Sequence, residues 1–168
     1  TVVATGCYAQ RRPQDLRLAG ADLIVGNGQK GELFEAVDAL LSGNRPEPFD
    51  PCERPKTQRF LQIDGVVPKG RTRGILQIQD GCDEHCTYCI IPAVRGHSAS
   101  RPAADIIAQA RQMVAAGYRE LALTGVHTGS YGYDYDERDA LVELLAQLVE
   151  IDGLDRIRLN SIEPGYLS

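Results

Sequence analysis

The stretch Ile75-Leu76-Gln77-Ile78-Gln79-Asp80-Gly81-Cys82-Asp83-Glu84-His85-Cys86-Thr87-Tyr88-Cys89 decides the fold. Its first five residues read as a strand, and a cysteine loop follows directly. Thiols spaced C-x3-C-x2-C on one short loop can hold three corners of an iron–sulfur cube, which leaves one iron without a protein ligand. An open iron is a place for a small molecule to bind and for electrons to be delivered. Zinc is the alternative: Cys82, Cys86 and Cys89 with His85 or His97 complete a tetrahedron. The usual zinc pattern has two separated C-x2-C pairs, and no second pair occurs here. Structural cysteines favour apolar runs, whereas these lie among Asp, Glu, His and Thr.

Downstream, β/α alternation continues. Ser100 is expected to cap a helix with Pro102 in its first turn, Ile106, Ile107, Ala110, Met113 and Val114 as its apolar stripe, and Gly117 past its end. Glu120–Leu123 reads as the next strand, running into Thr124-Gly125. Leu141, Leu144, Leu145 and Leu148 mark another helix, and Arg156–Leu159 a third strand ending at Asn160-Ser161-Ile162-Glu163. Successive βα units make a partial barrel or an open doubly wound sheet, and both place ligand chemistry at the C-terminal strand ends. The cysteine loop, Thr124–His127 and Asn160–Glu163 should therefore converge on one face.

Upstream lies a smaller block. Thr1–Thr5 reads as a strand, Ala9–Leu18 as a polar helix, Leu23–Val25 as a second strand and Glu32–Leu41 as a helix with Gly43 beyond it. Strand–helix alternation predicts a parallel sheet, but two strands make a poor one. The chain opens inside a strand and lacks an initiator Met, so further native sequence is expected upstream. Pro46, Pro48, Pro51 and Pro55 mark a linker, with a short strand or arm at Phe60–Ile63. The expected organisation is residues 1–43, a linker over 44–72, and a second domain over 73–168.

The net charge of −5 does not advertise nucleic-acid binding. The basic residues Arg54, Lys56, Arg59, Lys69, Arg71 and Arg73, against Glu53 and Asp64, nevertheless leave one segment net positive, either for phosphates or as a solvated linker. No apolar stretch is long enough to span a bilayer, so no membrane partner is expected. Five cysteines without a paired framework predict a reducing, cytoplasmic setting.

The residues also carry a family resemblance. The C-x3-C-x2-C loop after the first strand of a β/α barrel, with Tyr88 before the last Cys, resembles the radical S-adenosylmethionine superfamily. Gln79-Asp80-Gly81-Cys82, Cys86–Pro92, Arg95-Gly96 and Ser100-Arg101 resemble its methylthiotransferases. Thr5-Gly6-Cys7-Tyr8-Ala9-Gln10 resembles a cluster-binding motif of their N-terminal domain. Leu123–Gly132 and Arg156–Pro164 look most like the branch that modifies N6-threonylcarbamoyladenosine in tRNA.

The resemblance implies an α/β chain: the end of a small parallel-sheet N-terminal domain, then the first half of a TIM-type radical S-adenosylmethionine barrel. It implies two 4Fe-4S clusters in the full-length protein. Cys82, Cys86 and Cys89 would hold the first, whose open iron takes S-adenosylmethionine; Cys7 would be one ligand of the second, with Cys52 a poor substitute for another. Tyr88, Arg95, Thr124, Gly125 and Ser161 would bind the cofactor. The implied reaction places a methylthio group at C2 of the adenine beside the anticodon, with the tRNA anticodon stem-loop and an unidentified electron donor as partners. The chain by itself is expected to be inactive, because two auxiliary-cluster cysteines of the family are absent from it. An isopentenylated tRNA adenine, a ribosomal-protein aspartate, and a zinc-stabilised binding module without redox chemistry are the alternative readings.

Other side chains weigh less. His85, His127 and Glu163 read as polar loop residues before they read as ligands. Tyr131, Tyr133 and Tyr135 alternate among Asp134, Asp136 and Glu137, and acidic neighbours favour loop packing over stacking on RNA bases.

Overall fold

A computed structural model describes residues 1–44, 60 and 73–166. The proline-rich linker and the basic residues Arg54–Arg71 lie outside the described residues, as does the expected Phe60–Ile63 arm except Phe60. The chain forms two compact units, Thr1–Leu61 with Glu84–Gly96, and Gln62–Asp83 with His97–Ser168. Glu84–Gly96 belongs to the first of these units. Among the described residues no helix is long and apolar enough to cross a membrane.

The first unit contains β1 (Val3–Thr5), α1 (Cys7–Arg11), α2 (Pro13–Leu18), β2 (Leu23–Val25), α3 (Leu33–Leu41) and α4 (Ile91–Arg95). β1 and β2 pair in parallel with Val3 opposite Leu23. Leu23, Val25 and Ala36 form its core, with Val3, Leu33, Val37 and Leu40 packed around them. The single helix expected over Ala9–Leu18 is two. Pro13 opens the second, and Arg12 before it sits at φ −138°, ψ 57°, because a proline sterically bars the preceding residue from helical geometry.

The second unit contains β3 (Arg73–Gln77), β4 (Gln79–Asp80), β5 (Ala99–Ser100), α5 (Ala103–Ala115), β6 (Glu120–Thr124), α6 (Ala140–Val149) and β7 (Arg156–Leu159). β3, β6 and β7 form a parallel sheet in that order. Strands follow one another in space as in sequence, an order shared by a partial barrel and by one half of a doubly wound sheet. Leu76, Leu121 and Leu123 on one face pack with Ile106 and Ala110 of α5 and Leu144 and Leu148 of α6. Each buried Leu or Ile side chain contributes roughly 1.5–3 kcal/mol.

The strand expected over Ile75–Gln79 ends at Gln77. Ile78 still donates its N–H to Thr124 O at 2.9 Å, but Gln79-Asp80 then leaves β6 and pairs antiparallel with Ala99-Ser100. Ser100 is consequently strand, not helix cap: α5 starts at Ala103 with Pro102 as its extended N-cap residue at φ −54°, ψ 132°.

The other face of the sheet is polar at its amino end. Arg73, Arg156 and Arg158 surround Glu120, with Arg73 Nε at 2.6 Å and Arg156 Nη1 at 3.2 Å. Partial burial works against the Glu120 carboxylate, yet hydrogen bonds from Arg158 and Arg73, and their charges, hold its carboxyl below the usual range. Gly74 lies close under the helix layer: an added Cβ would lie 2.2 Å from Met113 Cε and 2.9 Å from Leu121 Cδ2, so those side-chain ends would have to shift. Gly74→Ala is expected to destabilise the protein by about 1–3 kcal/mol through overpacking, read as a lower urea midpoint at unchanged slope.

Candidate functional site

At the carboxyl edge of the second unit's sheet, one buried amide organises the loops. Gln79 is fully buried. Its Oε1 accepts the backbone N–H groups of Val126 at 3.0 Å and His127 at 2.9 Å. Its Nε2 donates to Gly81 O at 2.8 Å, with Ser98 Oγ at 2.9 Å and Asp80 O at 3.0 Å beside it. A buried amide needs such partners, since each one lost leaves a desolvated polar group. Gly125 fits the same contact: a Cβ there would stand 2.8 Å from Gln79 Oε1 and 2.9 Å from Gln79 O.

The loops after β6 and β7 are also tied. Thr128 donates its N–H to Ser161 O at 3.0 Å and its hydroxyl to Asn160 O. Ser161 lies in the left-handed region at φ 57°, a conformation that non-glycine residues adopt uncommonly. Thr124, Gly125 and Ser161 thus stand at the carboxyl ends of adjacent parallel strands, as the convergence argument expected. Thr124 is half-buried, and its carbonyl is occupied by Ile78 N–H.

Cys82 follows this edge directly and is half-buried. Asp83 next to it accepts from Ser98 N–H at 3.1 Å and pairs with His97 Nδ1 at 2.6 Å. That carboxylate staples together the two ends of the excursion that carries the remaining cysteines, and it engages His97, one of the two alternative zinc ligands.

Cys86 is exposed and Cys89 half-buried, both in the first unit, where Cys89 N–H closes a turn onto Cys86 O at 3.0 Å. Tyr88 on that turn is 90% exposed, and Arg95 is the half-buried last residue of α4. Cys7 opens α1 behind Gly6, whose φ of +104° suits only glycine. Asn27 Nδ2 approaches Cys7 Sγ at 4.0 Å and donates to Val94 O of α4 at 2.9 Å.

Among the described residues no group of His, Cys, Asp or Glu gathers closely enough to hold a metal ion. The fit of a cluster therefore rests on donor chemistry. Cys7, Cys82, Cys86 and Cys89 are all outside disulfides, and soft thiolates on an irregular loop suit iron–sulfur ligation.

Of the loop's tyrosines only Tyr131 is buried, while Tyr133 and Tyr135 are 38% and 47% exposed. Tyr131 is 2% exposed and donates its hydroxyl to Arg101 O at 2.8 Å; the Tyr135 hydroxyl goes to Ser100 O. Ser100, freed from capping, donates its hydroxyl and N–H to Asp134, and its Oγ accepts Gly132 N–H at 2.8 Å. Tyr133 packs between Tyr166 and the Arg138 guanidinium, 5.6 Å above its ring. His127 is buried edge-on to Tyr166, and its Nε2 has no hydrogen-bond partner.

Gln79, Asp83, Ser98 and Thr128 were not anticipated from sequence. Strand alternation would put Gln79 on the face of exposed Ile75; it is buried because β3 ends two residues earlier and the phase is lost.

The Radical SAM superfamily signature matches residues 76–165. The threonylcarbamoyladenosine tRNA methylthiotransferase MtaB of Bacillus subtilis is 36% identical over 99% of this chain and 37% of its own length. The ribosomal protein uS12 methylthiotransferase RimO of Kineococcus radiotolerans is 32% identical over 97% of this chain and 39% of its own. The chain thus spans well under half the length of these relatives. Among solved structures, the radical S-adenosylmethionine methyltransferase TsrM of Kitasatospora setae, with tryptophan and a SAM analog bound, superposes with a TM-score of 0.63. It is 16% identical over 94% of this chain and 36% of its own, which shows the shared fold alone.

Burial, with the charges of Tyr135 and Asp134 adding, pushes the Tyr131 hydroxyl up to about 12. A folded value above the unfolded one, about 10, gives stability that is complete below pH ~10 and lost as pH rises toward the folded value. Tyr131→Phe is expected to cost about 1 kcal/mol at pH 8, by leaving Arg101 O without its donor, and to flatten the alkaline loss. Thermal melts from pH 8 to pH 11.5 check both.

Proposed function

The chain belongs to the radical SAM superfamily, and from that premise we propose that it is part of a methylthiotransferase. Its substrate is N6-threonylcarbamoyladenosine beside the anticodon of a tRNA, in a reducing, cytoplasmic setting. One observation carries this reading: the loop that opens at Cys82 and the Thr124-Gly125 and Asn160-Ser161 turns leave one edge of a parallel sheet, joined by the hydrogen bonds of Gln79 and Thr128. Similarity to the Bacillus subtilis protein over 99% of the chain supports the same branch.

In this reading Cys82, Cys86 and Cys89 hold a 4Fe-4S cluster together with S-adenosylmethionine, and Cys7 is one ligand of a second cluster. When bound, that pair of groups supplies one-electron chemistry able to take hydrogen from an aromatic carbon that acid–base groups leave untouched. The chain's own contributions are holding and shielding. Thr124, Gly125 and Ser161 present backbone at the strand ends, where a glycine allows close approach. Tyr88 and Arg95 lie on the excursion after Cys82; an aromatic ring can cover a base, and a guanidinium can pair with a carboxylate or phosphate. Asp83, through His97 and Ser98, closes the base of that excursion. The proposed domain division remains residues 1–43, 44–72 and 73–168.

A ribosomal-protein aspartate is the second reading, favoured by the comparable identity of the Kineococcus relative. Nucleoside mass analysis of tRNA from cells lacking the gene separates the two. Loss of the methylthio group from the threonylcarbamoyl nucleoside alone is the expected result; intact tRNA nucleosides with an unmodified ribosomal protein would reverse the assignment.

Anaerobic reconstitution with iron and sulfide tests the cofactor. The protein is expected to turn brown, take up about four iron atoms at the loop site and bleach on reduction. Cys86→Ser should abolish uptake there and Cys52→Ser should not, whereas colourless protein containing zinc would favour the binding-module alternative.

A further inference from the structure

We propose that Gln79 is the positioning residue that fixes the backbone after β6 against the start of the cysteine loop, and thereby sets how S-adenosylmethionine is held. The identity of that ligand rests on the methylthiotransferase reading; the clamp itself rests on geometry alone.

The geometry is specific to a primary amide. Oε1 captures the successive N–H groups of Val126 and His127. In trans peptides the N–H and the preceding carbonyl point in opposite directions, so the carbonyls of Gly125 and Val126 are turned away from Gln79. On its other side Nε2 holds Gly81 O, in the residue immediately before Cys82. One planar group therefore spans the turn after β6 and the entry to the cysteine loop.

The contact also closes a ring. Nε2 donates to Ser98 Oγ, Ser98 Oγ lies 3.2 Å from Ser130 Oγ, Ser130 donates to His127 O at 2.9 Å, and His127 N–H returns to Gln79 Oε1. Donors and acceptors are consistent around the ring if Ser98 donates to Ser130, and such chains strengthen one another. A glutamate would face Gly81 O and Asp80 O with acceptor against acceptor. A methionine would fill the volume and leave the backbone groups unpaired in a buried place. Gly125 completes the clamp by leaving room for the amide. Gln79 acts through backbone, and misplacement of a reacting or binding group by about 1 Å is enough to cost orders of magnitude.

Amide hydrogen exchange on the metal-free protein and ligand binding on the reconstituted one test this together. In Gln79→Met the Val126 and His127 amides should exchange at least about tenfold faster, while Leu121 and Leu123 within β6 keep their protection. Iron content should match wild type, and the Kd for S-adenosylmethionine should rise about tenfold or more. Gly125→Ala, which presses on the same contact with Gln79 retained, should shift both readouts likewise and carries the test if Gln79→Met does not fold. Unchanged exchange at Val126 and His127, or unchanged Kd in variants loaded with iron, overturns the proposal. Wild-type protein that takes up no iron would defeat the functional reading instead, with the exchange measurement still deciding the clamp.

Discussion

Parallel pairing of Arg73–Gln77, Glu120–Thr124 and Arg156–Leu159 is the constraint on which the rest of the second unit depends. Parallel strands bring every carboxyl end to one edge, so every loop after a strand starts from the same rim. The helices that return the chain to the opposite edge supply the apolar cover, Ile106 and Ala110 from one and Leu144 and Leu148 from the other. The rim is then free to be irregular. Backbone that leaves the ladder there needs other partners, and Gln79, Thr128 and Asp83 provide them with side-chain groups.

The two faces of the sheet differ for the same reason. Gly74, Leu76, Leu121 and Leu123 are buried under helices, while Ile75 on the other face is 67% exposed. On that second face Glu120 and its arginines occupy the amino end, and Thr124 stands at the carboxyl end. The ion cluster at one end and the hydroxyl and bare backbone at the other flank apolar Ile75 and Ala122 between them.

Much of this was legible in the sequence, and the misses have local causes. Leu23–Val25 and Arg156–Leu159 are strands with the expected bounds, because short apolar or alternating runs bounded by turn residues leave little ambiguity. The helices at Leu33–Leu41 and Ala140–Val149 follow their leucine spacing. The break at Arg12 was written in Pro13, which outweighs the helical pattern around it. The fate of Ser100 was not legible. Its sequence neighbourhood suits a cap, but Asp134, distant along the chain, takes its hydroxyl and N–H. Cysteine spacing pointed to the loop chemistry, whereas the amide that braces the loop has no spacing signature at all. A lone glutamine acquires its role only from the tertiary partners brought to it.

Charge bears on the substrate in a way that composition alone conceals. The acidic loop around Tyr133 keeps its charge: Ser100 orients the Asp134 carboxylate with two neutral donors, and only Arg138, over the Tyr133 ring, brings a positive group beside it. In the basic stretch, Arg73 is paired with Glu120, whereas Arg54, Lys56, Arg59, Lys69 and Arg71 lie outside the described residues. Under the proposed function, the described rim positions the reacting groups. Relatives at 36% and 32% identity to this chain carry the names of a tRNA nucleoside methylthiotransferase and a ribosomal-protein methylthiotransferase, so likeness of scaffold does not by itself fix the substrate.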